Sequence, residues 1–193
     1  MSIKILGGVA KGFSLAAPKS SNTRPTSALL KRRLFDSIQS FENDIFIDLC
    51  AGTGSIGLEA LSRGAVRVEL IESDKKAFHL LKSNLQDMQK KYPADYGDIK
   101  ARCLTFEKWL VKYDFENTKK LRHYLFFDPP YEKQSLYEIF FKLISEKKML
   151  NTVVIVEACQ QKTMKLEEFT EKFGKPTKVV NQGTSFFAFY DYS

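Results

Sequence analysis

Cysteine is scarce in this chain, histidine scarcer still, and no run of apolar residues is long. Three cysteines (Cys50, Cys103, Cys159) and two histidines (His79, His123) are spread over 193 residues. An odd number of distant cysteines without a C-x-x-C pair excludes a disulfide framework and a zinc site, and reads as reduced thiols in a cytoplasmic protein. Neither histidine has a partner at ligand spacing, so both are expected to be structural or at the surface, and no metal is expected. No apolar run approaches the ~20 residues of a membrane span. The opening MSIKILGGVAKG has no long apolar core or cleavage site of a secretory signal. Internal repeats and low-complexity tracts are absent, and nothing calls for a dimer, so a monomer is expected.

Acidic residues are missing from the first 35 positions, where seven bases occur: Lys4, Lys11, Lys19, Arg24, Lys31, Arg32 and Arg33. The chain carries 30 Lys and Arg against 23 Asp and Glu, a net +7. Beyond Arg33 the charges balance, so the N-terminal segment holds the entire excess. One-sided charge of this kind attracts polyanions, chiefly nucleic acid. With 44% hydrophobic and 27% charged residues, one domain over 1–193 is expected, with a basic extension at about 1–40.

What is present centres on Ile45 to Gly57, IFIDLCAGTGSIG. An apolar strand ends at Asp48, a turn of small residues follows, and a helical pattern starts at Ile56. Strand, glycine turn and helix make a cofactor site at the C-terminal edge of a parallel sheet. Gly52 and Gly54 let backbone turn tightly and approach a ligand. A second strand, 66–71, ends at Glu72, about 20 residues past the glycines, where a ribose is held. This spacing fits an adenosine cofactor and leaves open a dinucleotide or S-adenosylmethionine. Asp48 leans toward the latter, because a carboxylate suits an ammonium and repels a pyrophosphate.

A second chemical stretch is Asp128-Pro129-Pro130-Tyr131, directly after the apolar strand 124–127. Two prolines stiffen the turn and remove N–H donors, leaving carbonyl acceptors. Asp128 adds an acceptor and Tyr131 a flat face. Such a cluster suits a planar group bearing an NH₂. Hydrogen bonds from that amine to Asp128 and the Pro129 carbonyl would turn its lone pair toward an electrophilic methyl.

The remaining pattern gives short strands at 3–6 and 13–15, a loop over 16–25, and a helix from an N-cap at Thr26 to about Ser40. Then come strand 45–49, helix 55–63, strand 66–71, helix 74–90, a weaker strand 99–104 and a short helix near 107–111. Helix 134–146, a strand 153–156 ending at Glu157, helix 166–173 and a closing hairpin through Gly183 complete it. Alternating strands and helices predict an α/β three-layer αβα sandwich with a mostly parallel sheet and an antiparallel pair at one edge.

Asp48 to Gly54 resembles the first motif of Rossmann-like class I methyltransferases that use S-adenosylmethionine. Asp128 to Tyr131 resembles the D/N-P-P-Y/F motif of those that methylate amino groups. The whole chain resembles the RsmD type through Gly7-Gly8, Lys11-Gly12, Thr23-Arg24-Pro25-Thr26, Leu34-Phe35, the run Gly57 to Ala65, Asn84, Glu157 and Gly183-Thr184. That resemblance implies methylation of a guanine N2 amine in small-subunit (16S) ribosomal RNA, with free RNA or the small ribosomal subunit as partner. It implies a cofactor site of Asp48, Ala51, Gly52, Thr53, Gly54, Glu72 and Ser73, with Asp48 toward the methionine end and Glu72 on the ribose. Asp128, Pro129, Pro130 and Tyr131 would be the catalytic group. Lys11, Arg24, Thr26, Lys31 and Arg32 would meet RNA. The chain departs from the family at 101–105, where the acid expected on the adenine amine is absent, and at Arg33, where an acid is usual. Methylation of DNA adenine or a protein amide, a nicotinamide-dependent dehydrogenase, and an RNA-binding protein with a decayed site are the rival readings.

Overall fold

The computed structural model describes residues 3–17, 28–38, 41–94 and 96–193. Two short strands, β1 (Ile3–Lys4) and β2 (Ser14–Leu15), pair antiparallel as a ribbon. Helix α1 (Ala28–Asp36) follows. The expected N-cap at Thr26 lies outside the described residues. The helix stops four residues before Ser40 because the chain turns: Ser37 Oγ donates to the Leu34 carbonyl at 2.7 Å. The turn carries Ile38 and Phe41 into the core.

The main series runs β3 (Asp44–Asp48), α2 (Gly57–Ser62), β4 (Arg67–Glu72), α3 (Lys75–Lys91), β5 (Asp98–Cys103) and α4 (Phe106–Lys112). A single 3-10 turn, Glu116–Thr118, leads to β6 (Arg122–Phe127), α5 (Gln134–Ser145), β7 (Thr152–Cys159), α6 (Leu166–Phe173), β8 (Lys178–Gln182) and β9 (Ser185–Tyr192). The seven-stranded sheet has the order β5-β4-β3-β6-β7-β9-β8. β5, β4, β3, β6 and β7 are mutually parallel. β9 runs against both its neighbours, so the edge strand β8 points the same way as β7. The expected mixed α/β architecture is therefore the one formed.

β3 and β7 are buried on both faces, as strands between two helical layers must be. Alternate side chains serve opposite layers. Phe46, Val68, Leu70, Tyr124, Phe126, Val153 and Ile155 pack with α1, α2, α3 and the ribbon. Ile45, Ile47, Leu125, Phe127, Val154 and Val156 pack with α4, α5 and α6. Trp109 and Phe140 belong to this second layer. β7 does not end at Glu157 but runs on to Cys159, because β9 pairs with it along its whole length, from Thr152↔Tyr192 to Cys159↔Ser185. The two edge strands carry charged or polar residues, including Lys100, Arg102 and Lys178, which blunts edge-to-edge association.

The N-terminal ribbon is fastened to the end of α2. Val9 N–H donates to the Ser62 carbonyl at 2.8 Å, Ala10 N–H to Ser62 Oγ at 2.9 Å, and Ser62 Oγ to the Gly7 carbonyl at 2.7 Å. Gly8 makes this approach possible: its φ is +73°, and a Cβ there would lie 1.7 Å from the Ser62 carbonyl oxygen. Gly12 has a similar φ of +88° but open space around it. Gly8→Ala should therefore lower unfolding free energy by about 3 kcal/mol and Gly12→Ala by only about 1 kcal/mol, as read by urea denaturation. Equal losses would mean that the ribbon is not seated on Ser62.

Candidate active site

The ends of β3, β4, β6 and β7 converge at one edge of the sheet. There Asp48 ends β3, Glu72 ends β4, Asp128 follows β6 and Glu157 lies near the end of β7. After Asp48, Leu49 N–H donates to the Phe126 carbonyl at 3.0 Å and Ala51 N–H to the Ile71 carbonyl at 2.9 Å. The glycine turn then closes with Gly54 N–H on the Ala51 carbonyl at 2.7 Å. Gly52 and Gly54 have φ of +53° and +85°, a region costly for other residues. A Cβ on Gly52 would meet nothing within 4 Å, so the turn faces open space.

Asp48 and Glu72 brace this turn. Asp48 Oδ2 accepts from Gly57 N–H at 3.1 Å, at the first residue of α2. The helix begins at Gly57 rather than at residue 55 because the preceding residues are spent on the turn. Asp48 lies beneath the turn, 1% exposed, and its Oδ1 is buried without a hydrogen-bond partner. Burial pushes its carboxyl up to about 7, opposed by the N–H groups of Gly57 and Cys50 and helped by Glu72 and Glu157. Glu72 Oε2 accepts from Gly52 N–H at 2.8 Å and Oε1 from Asp74 N–H at 2.7 Å. Asp74 in turn caps α3 by accepting from Ala77 N–H at 2.8 Å. Each Glu72 oxygen keeps a free lone pair, and Ser73 beside it is exposed. Ala51 is buried in the turn; Thr53 uses its carbonyl to accept from Asn84 Nδ2 at 2.9 Å.

The two stretches singled out in the sequence meet around Cys50. Burial first, then the charges of Asp128, Asp48, Glu72 and Glu107, push its thiol well above the usual range. In the second stretch Asp128 is half-buried, Pro129 buried and Pro130 exposed. The Pro130 carbonyl accepts from Lys133 N–H at 2.9 Å, which closes the turn into α5. Tyr131 is held by its hydroxyl, which donates to Glu157 Oε1 at 2.5 Å. Burial and the nearby Asp128 and Glu157 raise the phenol's pKa far above its usual value, so it stays neutral. Tyr137 O–H donates to the Glu157 carbonyl at 3.0 Å, so one buried residue of β7 anchors both tyrosines. Glu157 was legible only as a strand-ending acid; nothing in its spacing pairs it with Tyr131. A fifth carboxylate, Glu107 on α4, has a buried Oε2 without a partner.

The candidates for RNA contact divide. Lys11 and Arg32 are exposed, while Arg24 and Thr26 lie outside the described residues. Lys31 does not face solvent as expected. It is 1% exposed and its Nζ is 2.9 Å from Glu59 Oε2, with further bonds to the Lys4 carbonyl at 3.0 Å and Ser55 Oγ at 3.2 Å. Burial lowers its pKa, against the pull of Glu59. Glu59, fully buried, also accepts from Leu6 N–H at 2.7 Å and Arg63 Nε at 2.8 Å. Lys31 is thus an internal tie between α1, α2 and the ribbon. Neither histidine joins the site: His79 is exposed and His123 is buried against Thr118 Oγ1 at 2.7 Å. Among the described residues no group of His, Cys, Asp and Glu is arranged to hold a metal ion.

The family model described as conserved hypothetical protein 95 matches residues 3–191. The chain belongs to this family. Its relative YlbH of Bacillus subtilis is 31% identical over 170 residues, 86% of this chain and 86% of that protein. The ribosomal RNA small subunit methyltransferase D of Buchnera aphidicola, from Acyrthosiphon pisum, is 31% identical over 158 residues, 80% of this chain and 77% of that protein. Among solved structures, yhhF of Escherichia coli aligns with a TM-score of 0.74 at 24% identity, covering 100% of this chain and 99% of that one. That likeness shows the shared fold. The chain is a member of the RsmD/YlbH methyltransferase family, as its motifs imply.

Asp48 gives the site a pH signature. An unfolded aspartate titrates near 4, whereas Asp48 in the fold titrates at about 7. The folded chain holds the extra proton between these values, so this group's contribution is present at low pH and is lost as pH rises through about 7. Asp48→Asn should remove that slope: relative to the parent, the unliganded variant should gain stability from about pH 4 to about pH 7 and stay ahead at pH 8. Parallel stability-versus-pH curves from urea unfolding would contradict the buried titration.

Proposed function

We propose that the chain transfers a methyl group from S-adenosylmethionine to the exocyclic N2 amine of a guanine in small-subunit ribosomal RNA. One observation carries the reading: a strongly basic chain, +7 overall, gathers Asp48, Glu72, Asp128 and Glu107 around one thiol beside an open glycine turn. Carboxylates in that place suit a cationic cofactor and repel the pyrophosphate of a dinucleotide. The nicotinamide reading also leaves the Asp-Pro-Pro-Tyr turn without a role.

The residues present fit the cofactor. The unpartnered Asp48 Oδ1 lacks a cationic donor, and a buried acceptor left alone costs about 1–3 kcal/mol, so an ammonium would relieve it. Glu72 has lone pairs left for ribose hydroxyls. Glu107 Oε2, also unpartnered, would accept from the adenine amine and stand in for the acid missing at 101–105. When bound, S-adenosylmethionine supplies an electrophilic methyl on a sulfonium.

The chain's own work is positioning. Asp128 and the Pro129 carbonyl hold the two N–H groups of the guanine amine, whose lone pair is otherwise delocalised into the ring. Tyr131, fixed by Glu157, offers its ring to the base and, being neutral, adds no charge. Asp128 is the acceptor beside the nitrogen for the proton released when the new N–C bond forms. Lys11, Arg24, Thr26 and Arg32 are proposed to meet RNA phosphates, and the cost of a few kcal/mol for unstacking a base is offset there.

Labelled S-adenosylmethionine incubated with small ribosomal subunits that lack the modification should place label in N2-methylguanosine after digestion to nucleosides. Asp128→Ala should reduce the rate by at least about a hundredfold while still binding S-adenosylhomocysteine. Tyr131→Phe and Glu157→Ala should each slow transfer by roughly tenfold, and the double variant by no more than either alone, since both break one hydrogen bond. Label in another nucleoside, in DNA or in protein would move the target; no transfer to any of them would end the proposal.

A further inference from the structure

Two exposed bases bridge the seam between α1 and the β8–β9 hairpin, and both do so through carbonyl groups. Arg33 Nη1 donates to the Asn181 carbonyl at 2.5 Å, and Lys178 Nζ to the Ser37 carbonyl at 3.4 Å. Lys178 also lies over the Phe189 ring, 5.3 Å from its centroid. A carbonyl holds a cation in place without cancelling its charge. Among the described residues neither base is in an ion pair, whereas the charges of Arg63 and Arg122 are met by Glu59 and Asp191. The seam leads to the candidate active site. Gln182 is level with Ser185, which opens β9, and Ser185 is level with Cys159, two residues past Glu157. The Ser185 side chain lies against the Tyr131 phenol, and the Thr184 carbonyl accepts from Gln160 N–H at 2.7 Å. Asn181 is thus beside the end of the hairpin that borders Tyr131. Lys178 is three residues further down β8, roughly 10 Å along an extended strand.

We propose that Arg33 and Lys178 bind backbone phosphates of the RNA strand that leaves the target guanine, with the seam between α1 and the β8–β9 hairpin as its track. The inference rests on the function proposed above and extends RNA contact from the N-terminal bases to the C-terminal hairpin. Arg33 suits the role in two ways. Its guanidinium is a planar fork that matches a pair of phosphate oxygens, and one N–H on Asn181 leaves its other donors available. That anchor also sets the fork in advance, so less side-chain freedom is lost when a phosphate arrives. Lys178, seated on Ser37 and Phe189, supplies a second fixed point charge. β8 is the edge of the sheet, so no further strand covers the seam on that side.

The test measures binding of the full chain to protein-free small-subunit ribosomal RNA across a range of salt. Arg33→Gln and Lys178→Gln keep a side chain able to donate a hydrogen bond and remove the charge. Each should weaken RNA binding by roughly 5- to 15-fold at about 50 mM salt, and flatten the slope of log affinity against log salt by about 0.7–0.9, the loss of one phosphate contact. Affinity for S-adenosylhomocysteine should stay parental in both. Arg33→Lys, which keeps the charge, should keep the parental slope. Lys112→Gln is the control: it removes an exposed charge from α4, in the other helical layer, and should leave the slope unchanged. A purely structural role for the two bases would lower the urea midpoint and leave the slope as it is. Parental slopes in both Gln variants, or an equal loss in Lys112→Gln, overturn the proposal while methyl transfer to RNA by the parent continues. A parent that transfers no methyl group to RNA would instead remove the proposed function, and the track with it.

Discussion

Parallel strands have one chemical consequence that governs this molecule: they deliver all their C-terminal ends to the same edge. Here the register is tight, with Asp48 level with Leu70 on one neighbour and Phe126 on the other, and Phe127 level with Val156. Acids at or near four of those ends are thereby forced together. Burial first, and the like charges of Glu72 and Glu157 after it, disfavour the ionised form of Asp48, which holds its proton to about pH 7. What keeps the cluster tolerable is the supply of backbone N–H groups from Gly52, Gly57 and Asp74. The fold thus makes a site that is negative and incompletely satisfied, within a protein that is positive overall.

The N-terminal segment is bound to this centre by polar atoms as well as by packing. Glu59 is the anchor: a fully buried carboxylate that receives Lys31, Arg63 and Leu6 N–H. A buried ion pair adds little over a well-packed apolar substitute, but breaking one costs about 3–5 kcal/mol because the survivor is left alone. Such a cluster enforces one arrangement rather than adding stability. The ribbon and α1 accordingly sit on α2 in a fixed relation to the turn that α2 follows. The ribbon, α1 and α2 are held to one another by the same buried groups.

Much of the fold was legible because each strand is an apolar run bounded by turn residues and each helix repeats at its own period. α6 falls on 166–173, as its apolar spacing predicts, and the β8–β9 turn falls at Gly183, whose φ is +59°. The exceptions share a cause: the deciding partner is far away in sequence. Lys31 reads as a surface base because Glu59, which buries it, lies 28 positions on. β7 reads as ending at its acid because only pairing with β9 extends it. The two acids of the glycine site were legible from position alone, Asp48 and Glu72 each closing a strand. Glu157 and Asn84 were visible as residues but not as contacts, since an acid on a strand and an amide on a helix announce no partner.

The position of β9 bears on how the chain is made. It follows β8 in sequence yet lies between β8 and β7, pairing with β7 over eight residues that are buried throughout. Until the ribosome has released the segment 185–192, the β7 edge stands open, with an apolar face and unpaired backbone groups, and β8 has nothing to join. An edge of that kind is a template for another nascent chain. Synthesis that stalls anywhere between β7 and β9 therefore leaves a nearly complete sheet at its most adhesive, which makes this interval the one where a holding chaperone matters most.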